Sequence, residues 1–195
     1  MVFAGIGTAA GVAEDPEQGF IDRLRSLPIP RRAVLVARAA ADSVIFAWAS
    51  GVTIAIAFAV GFRLHGPALD GLAAFGLVLV FVLVFGFAFE WLFIAMGLFA
   101  RTAQAAQGMG MIVFPFAFVS SAYVPVSSMP GWLAAFAKHQ PLTAMVDAVR
   151  ALTLGGHADV LLGHAPGYFV IRALLWAAAI CAVTPPIAVL RYRRG

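Results

Sequence analysis

Charge is what this sequence has least of. Asp, Glu, Lys and Arg make up 11% of its 195 residues, against about 25% in an ordinary soluble domain. With 63% hydrophobic residues and a mean hydropathy of +0.96, the chain has far more apolar surface than a water-soluble core of this length requires. Cysteine is almost missing. Cys181 stands alone, which excludes an internal disulfide and any Cys-x-x-Cys metal site. It lies in an apolar run, where packing accounts for it. No stretch matches G-x-x-x-x-G-K-[S/T], so there is no phosphate-cradling loop of that kind. The apolar runs carry no paired carboxylates, no H-E-x-x-H and no Ser/His arrangement, which argues against a membrane enzyme. His157, Asp159 and His164 fit no standard zinc spacing, and a solvated loop explains them better than a metal site.

What is present is length of apolar run. A helix needs roughly 20 apolar residues to cross a hydrocarbon core of about 30 Å. Residues 43–62, 71–99, 103–123 and 168–190 meet this, and the second run is long enough to tilt. Residues 1–13 are apolar but too short. They lack the basic start of a signal peptide and read as the remnant of a span that begins upstream. The fold class expected is therefore all-α, a polytopic transmembrane helix bundle forming one membrane domain over 1–195.

Basic residues set the orientation. Arg23, Arg25, Arg31, Arg32, Arg38, Arg101, Arg191, Arg193 and Arg194 fall in alternate connections. Only Arg63, Lys138, Arg150 and Arg172 fall on the other side. The bias places 14–42 and the C-terminus in the cytoplasm. A net charge of +4 is then a topology signal rather than a nucleic-acid footprint, because the arginines sit beside apolar runs.

The segment 14–42 holds five of the thirteen basic and five of the nine acidic residues. Asp15-Pro16-Glu17 suits a helix start: a capping side chain, a proline at the first position, an acid at the positive end. Phe20, Ile21, Leu24 and Leu27 recur on one helical face. Asp22, Arg23, Arg25 and Ser26 occupy the other, and Pro28 and Pro30 stop the helix. A second helical stretch, 31–42, leads into the membrane. The first helix either lies on anionic lipid or docks into a partner's groove.

The other long connection, 124–156, is punctuated by Pro125, Pro130 and Pro141. Ser128 is placed to cap a short helix running to about Lys138, with Trp132, Leu133 and Phe136 on its apolar side. Pro141 opens a second helix with a stripe of Leu142, Met145, Val146, Val149 and Leu152. Asp147 and Arg150 are spaced as a surface ion pair worth a few tenths of a kcal/mol. Gly155-Gly156 closes it. Such a pair of helices forms a re-entrant hairpin, buried against other helices or lining a cavity, or lies flat on the outer leaflet.

Glu90 is the single carboxylate deep in a run. A charge at a span centre costs about 2.5–3.5 kcal/mol on insertion scales. It must meet protein, water or a cation, or be protonated. Contact with a cationic substrate is one reading and a structural bond to a neighbouring polar side chain is the other. Gln104 and Gln107 are within reach only if helices bend. Gly108, Gly110 and Pro115 loosen the following run, for close packing at a dimer interface or as an ordinary kink.

Two segments resemble one family. EDPEQGFIDRLRSLPIPR, residues 14–31, is similar to the cytoplasmic segment of ABC-2 type permeases, particularly the daunorubicin-resistance subgroup. There an acidic pair precedes a pattern matched here by Gly19, Asp22, Arg23, Arg25, Ser26, Leu27, Pro28, Ile29 and Arg31. SSAYVPVSSMPGWLAAFAKHQPLTAMVDAVRAL, residues 120–152, resembles the subgroup's signature before its last span. Its matching positions are Pro125, Met129, Pro130, Trp132, Leu133, Gln140, Pro141, Thr143, Asp147, Arg150 and Leu152.

The resemblance implies six spans per permease, a homodimer or heterodimer of permeases in the plasma membrane, and two cytoplasmic ATPase subunits that hold the ATP and Mg. By this resemblance the chain lacks the first span and much of the second. It carries no cofactor and is not itself an enzyme. The helix around Phe20, Asp22, Arg23, Leu24, Arg25 and Leu27 becomes the coupling helix to the ATPase. The function expected is the membrane subunit of an ATP-driven exporter of a hydrophobic or amphipathic substrate: a drug-like compound, or a lipid or glycan conjugate. A non-transporting membrane scaffold or assembly protein is the alternative.

Overall fold

The computed structural model describes residues 2–15, 31–61, 68–100, 102–154 and 162–194, without side chains at 31–32, 68–74 and 193–194. Every regular element among them is helical: α1 (Val2–Glu14), α2 (Arg31–Ala59), α3 (Ala68–Phe99), α4 (Ala103–Met111), α5 (Val113–Phe118), α6 (Gly131–His139), α7 (Pro141–Leu154) and α8 (Pro166–Arg194). A 3-10 turn, Val126–Ser128, precedes α6.

Among the described residues three stretches are long and apolar enough to cross a membrane: Ala33–Ala59, Phe75–Phe99 and Pro166–Tyr192, of 27, 25 and 27 residues. At 1.5 Å per residue each runs about 38–41 Å, more than the hydrocarbon thickness. Helix is the natural state here, because a lipid-exposed backbone has no water to satisfy its polar groups. Two prolines, Pro185 and Pro186, lie inside α8. The Thr184 hydroxyl donates to the Ile180 carbonyl at 2.8 Å just before them, a local satisfaction of the kind that lets spans tolerate proline.

The run 103–123, expected as a single span, is instead two short helices broken at Ile112. Pro115 has no N–H for the Met111 carbonyl and crowds the turn before it, and Gly108 and Gly110 lower helix propensity just upstream. The Ile112 N–H turns to Met109 and Gly110 instead.

The chain divides into two compact units. The first comprises Met1–Phe46, Gly86–Pro115 and Ala178–Gly195. In it the short apolar run at the N-terminus is a helix, α1, whose buried face is Gly5, Thr8, Ala9, Ala10, Val12 and Ala13. Small residues let backbones approach closely where lipid offers no hydrophobic drive to associate. Phe93 covers Gly5, and the Ala9 carbonyl and Val12 rest on Gly97, where any side chain would collide. Ile6 packs on Gly110 of α4 in the same way. Val12, Leu35, Ala39, Trp91, Ile94, Ala95 and Ala188 form the core of this unit, with Leu98, Val189 and Tyr192 at its edge.

The second unit comprises Ala47–Phe85 and Phe116–Ala177. Its hairpin begins differently from expectation. Ser128 does not cap α6; its hydroxyl donates to the Pro125 carbonyl at 2.8 Å within the 3-10 turn. Pro130 holds the cap position of α6 and offers no side-chain hydrogen bond. Pro141 does open α7. The buried face of α7 is Leu142, Thr143, Ala144, Ala148 and Ala151, not the expected stripe of larger residues. Met145, Val146, Val149 and Leu152 are only half-buried. Likewise Ala137 is the buried residue of α6, while Trp132 is 76% and Phe136 47% exposed. Small residues face protein and bulky ones face outward, as expected of helices whose solvent is lipid. Gly155 and Gly156 lie outside the described residues.

Candidate functional site

The six positions of the docking helix, Phe20, Asp22, Arg23, Leu24, Arg25 and Leu27, lie outside the described residues. The residues that flank them do not. Asp15 follows α1, and Arg38 and Asp42 lie one turn apart on α2. Arg38 donates through Nη1 to Asp15 Oδ2 at 2.6 Å, and its Nε lies 3.8 Å from Asp42 Oδ2. Its guanidinium lies across Gly11, whose lack of a side chain leaves the room. All three groups are about a quarter to a third exposed, so each ion pair is worth well under its buried value.

Glu90 sits on α3 and is buried, at 7% exposure. Neither Gln104 nor Gln107 is its neighbour. Its polar neighbours are Thr8, Arg38 and Asp42. Thr8 in turn donates to Asp42 Oδ2 at 3.1 Å and lies 3.3 Å from the Ala4 carbonyl. One carboxylate oxygen, Glu90 Oε1, is buried with no hydrogen-bond partner. Thr8, Gly11 and Asp15 recur at i, i+3 and i+7, one face of α1. They meet Arg38 and Asp42 of α2 and Glu90 of α3 along a single polar seam.

The second unit holds a separate network centred on Asp147. Ser121 Oγ donates to Asp147 Oδ1 at 2.7 Å. Arg150 Nη1 is 3.5 Å from the same oxygen, so the sequence-spaced pair exists. Arg150 Nη2 also donates to the Ser121 carbonyl at 3.0 Å, which ties α7 to the end of the preceding segment. Arg172 of α8 lies 3.6 Å from Asp147 Oδ2, and its Nε and Nη2 have no hydrogen bond. Thr143 accepts from the Ser121 N–H at 3.3 Å and from Gln140 Nε2 at 3.2 Å. The Tyr168 ring lies 6.0 Å from the Arg172 guanidinium and stacks on His164.

Of the hairpin residues singled out in the sequence, Asp147 and Arg150 enter this network. Pro125, Pro130 and Pro141 shape its backbone, and Trp132 points away from it. Thr8, Arg38, Asp42, Ser121 and Arg172 carry much of the two networks, and motif reading did not single them out as site residues. The i, i+4 spacing of Arg38 and Asp42 beside an apolar run was the available signal. For Arg172 there was none, since its partner lies on another helix.

The family model of the ABC-2 type transporter matches residues 1–154. This chain belongs to the ABC-2 type transporter family. The match spans the polar seam, the four helices of the broken run and hairpin, and Asp147 with Arg150. It ends before α8. The ABC-2 chain is 31% identical over 194 residues to the daunorubicin resistance ABC transporter permease protein DrrB1 of Streptomyces coeruleorubidus, covering 99% of this chain and 64% of that one. It is 27% identical over 177 residues to the probable doxorubicin resistance ABC transporter permease protein DrrC of Mycobacterium tuberculosis, covering 91% of this chain and 60% of that one. It thus spans less than two thirds of the length of these curated relatives. No solved structure matches. Family and helices together make it a membrane protein with an all-helical membrane domain.

Proposed function

We propose that this chain is the membrane-spanning permease part of an ATP-driven exporter, acting in the plasma membrane. The observation that carries the reading is the ABC-2 match over residues 1–154 on a chain whose described residues include three helices long enough to span. The substrate class is hydrophobic or amphipathic: a drug-like compound, or a lipid or glycan conjugate. The names of the relatives, which concern daunorubicin and doxorubicin resistance, support the drug-like member of that class. ATP and Mg are held by a separate cytoplasmic ATPase, and two permeases assemble as a homodimer or heterodimer.

The docking element is the helix of Phe20, Asp22, Arg23, Leu24, Arg25 and Leu27. Its flanks support the assignment. Asp15 on one side and Arg38 on the other are joined by an ion pair, so movement of the segment between them has a fixed base to act on. Co-purification with the cognate ATPase tests this. Reversing the charge of Arg23 and Arg25 together should abolish ATPase retention while leaving membrane insertion intact. Retention unchanged by that reversal would remove the docking role.

A further inference from the structure

Arg172 brings to the Asp147 network a charge that the network does not need. Asp147 Oδ1 accepts from Ser121 and pairs with Arg150, and Arg150 is held a second time by the Ser121 carbonyl. Asp147 and Arg150 thereby balance each other. Arg172 is a second guanidinium beside the same carboxylate, at 3.6 Å and without a hydrogen bond. Its Nε and Nη2 have no hydrogen-bond partner. These two nitrogens form the side edge of the guanidinium, a pair of parallel N–H groups that fits a carboxylate or a phosphate bidentately. A buried donor left without an acceptor is costly, so a guanidinium in this state favours an anion from outside the protein.

The place of Arg172 on α8 says which anion. The span Pro166–Tyr192 has 27 residues, about 41 Å of helix, which is some 10 Å more than a hydrocarbon core. Arg172 lies in its second turn, from which a long side chain reaches the headgroup level by snorkelling. Tyr168, one turn nearer the helix start, is exposed and lies 6.0 Å from the guanidinium; tyrosine is a residue of that level. Tyr168, Arg172, Leu175 and Trp176 recur at i, i+4, i+7 and i+8, one face of the helix. Leu175 and Trp176, deeper in the span, are exposed as well. The face therefore offers a tyrosine, then a cation, then apolar surface, the order in which a phospholipid lies beside a span.

We propose that this face of α8 binds an anionic phospholipid, with the phosphate on Arg172 and the acyl chains along Leu175 and Trp176. Arg172 turns from Asp147 toward the lipid to make the contact. The turn gives up only a loose ion pair, because Ser121 and Arg150 continue to serve Asp147. The headgroup is anionic because the surplus is a single positive charge. Asp147, already held by Arg150 and Ser121, does not serve the cationic end of a zwitterionic head. Arg172 is thus shared between α7 and the leaflet, and the lipid composition of that leaflet sets how tightly Arg172 ties α8 to α7.

The test is native mass spectrometry of the permease released from detergent micelles that carry graded amounts of phosphatidylglycerol or phosphatidylcholine. It requires no ATPase and so stands or falls apart from the exporter reading. The wild type should retain phosphatidylglycerol at lower lipid concentration than phosphatidylcholine. Arg172→Gln should weaken phosphatidylglycerol binding about tenfold, the worth of one charged hydrogen-bonded contact. Lys138→Gln, which removes an exposed cation of the same unit, should leave it unchanged. Equal retention of the two lipids by the wild type overturns the proposal, and this arm needs no variant to fold. Displacement of the lipid by an equal concentration of inorganic phosphate overturns it too, since the site would then be one for free phosphate. So does an Arg172→Gln chain that binds phosphatidylglycerol as the wild type does, or a Lys138→Gln loss as large as that of Arg172→Gln.

Discussion

In the first unit one guanidinium, Arg38, serves Asp15 and Asp42 with Glu90 close by; in the second one carboxylate, Asp147, serves Arg150 and Arg172. The two networks are electrostatic opposites built to the same plan. Each has a scarce charge at its centre and an excess of the other sign around it. Each leaves orphaned atoms on the side of the excess: a carboxylate oxygen of Glu90 in the first, two N–H groups of Arg172 in the second. The scarce charge should therefore carry the stability of its network, and the excess charges should be individually dispensable. Removing one member of a buried pair hurts chiefly by leaving the other uncompensated, so the damage depends on how many are left behind and how well water reaches them.

Asp147→Ala is the severest test. It strands Arg150 and Arg172 beside each other and removes the acceptor of Ser121. Breaking a buried pair costs about 3–5 kcal/mol, and with Arg150 41% exposed the lower end applies, about 3 kcal/mol. Equilibrium unfolding in mixed micelles reads this directly. Arg38→Ala should come next, at about 2 kcal/mol, the worth of a charged hydrogen bond discounted for the partial exposure of its partners. The loss should be smaller in an Asp15→Asn background, where one of the stranded carboxylates is already gone. An equal loss there would show that Arg38 is not compensating Asp15.

How much of this was legible in the sequence depends on the range of the interaction. The spans around α2, α3 and α8 were readable because hydrocarbon demands unbroken apolar length. The break at Ile112 was half-legible: Gly108, Gly110 and Pro115 marked a weak helix, but not where its hydrogen bonds would part. Asp147–Arg150 was visible as an i, i+3 spacing. Thr8 with Glu90, and Asp147 with Arg172, were not, since each pair joins residues far apart in the chain. The α7 stripe misled for a different reason. Periodicity finds the apolar face, but in lipid that face turns outward, and the face that packs is the small one, Ala144, Ala148 and Ala151. The same inversion hid α1, whose Gly5, Ala9 and Ala10 look like a weak helix until Phe93 and Gly97 are set against them.

Among the excess charges, Arg172→Gln should cost at most about 1 kcal/mol, the range of a loose, partly exposed ion pair. Its guanidinium stands 3.6 Å from Asp147 without a hydrogen bond. A double-mutant cycle between Asp147 and Arg172 measures the pair itself. A coupling as large as the whole Asp147→Ala loss would make Arg172, and not Ser121 and Arg150, the main partner of Asp147, and would end the symmetry between the networks.

Glu90→Gln should have the smallest effect, within about 0.5 kcal/mol, the usual range for a substitution that disturbs no critical contact. That is unusual for a buried ionisable side chain in a span, and the reason lies in the donor shortage. The amide keeps the shape of the carboxyl and removes a charge that is buried with one oxygen unpartnered. Glu90→Ala removes most of a buried side chain and leaves a void in its place. It should destabilise by about 2 kcal/mol or more, as large-to-small changes in a core do. If Gln proved as damaging as Ala, the carboxylate charge itself would be the stabilising feature. Arg38 would then be shared with Glu90 on equal terms, and the first unit would have no excess of acid to set against the excess of base in the second.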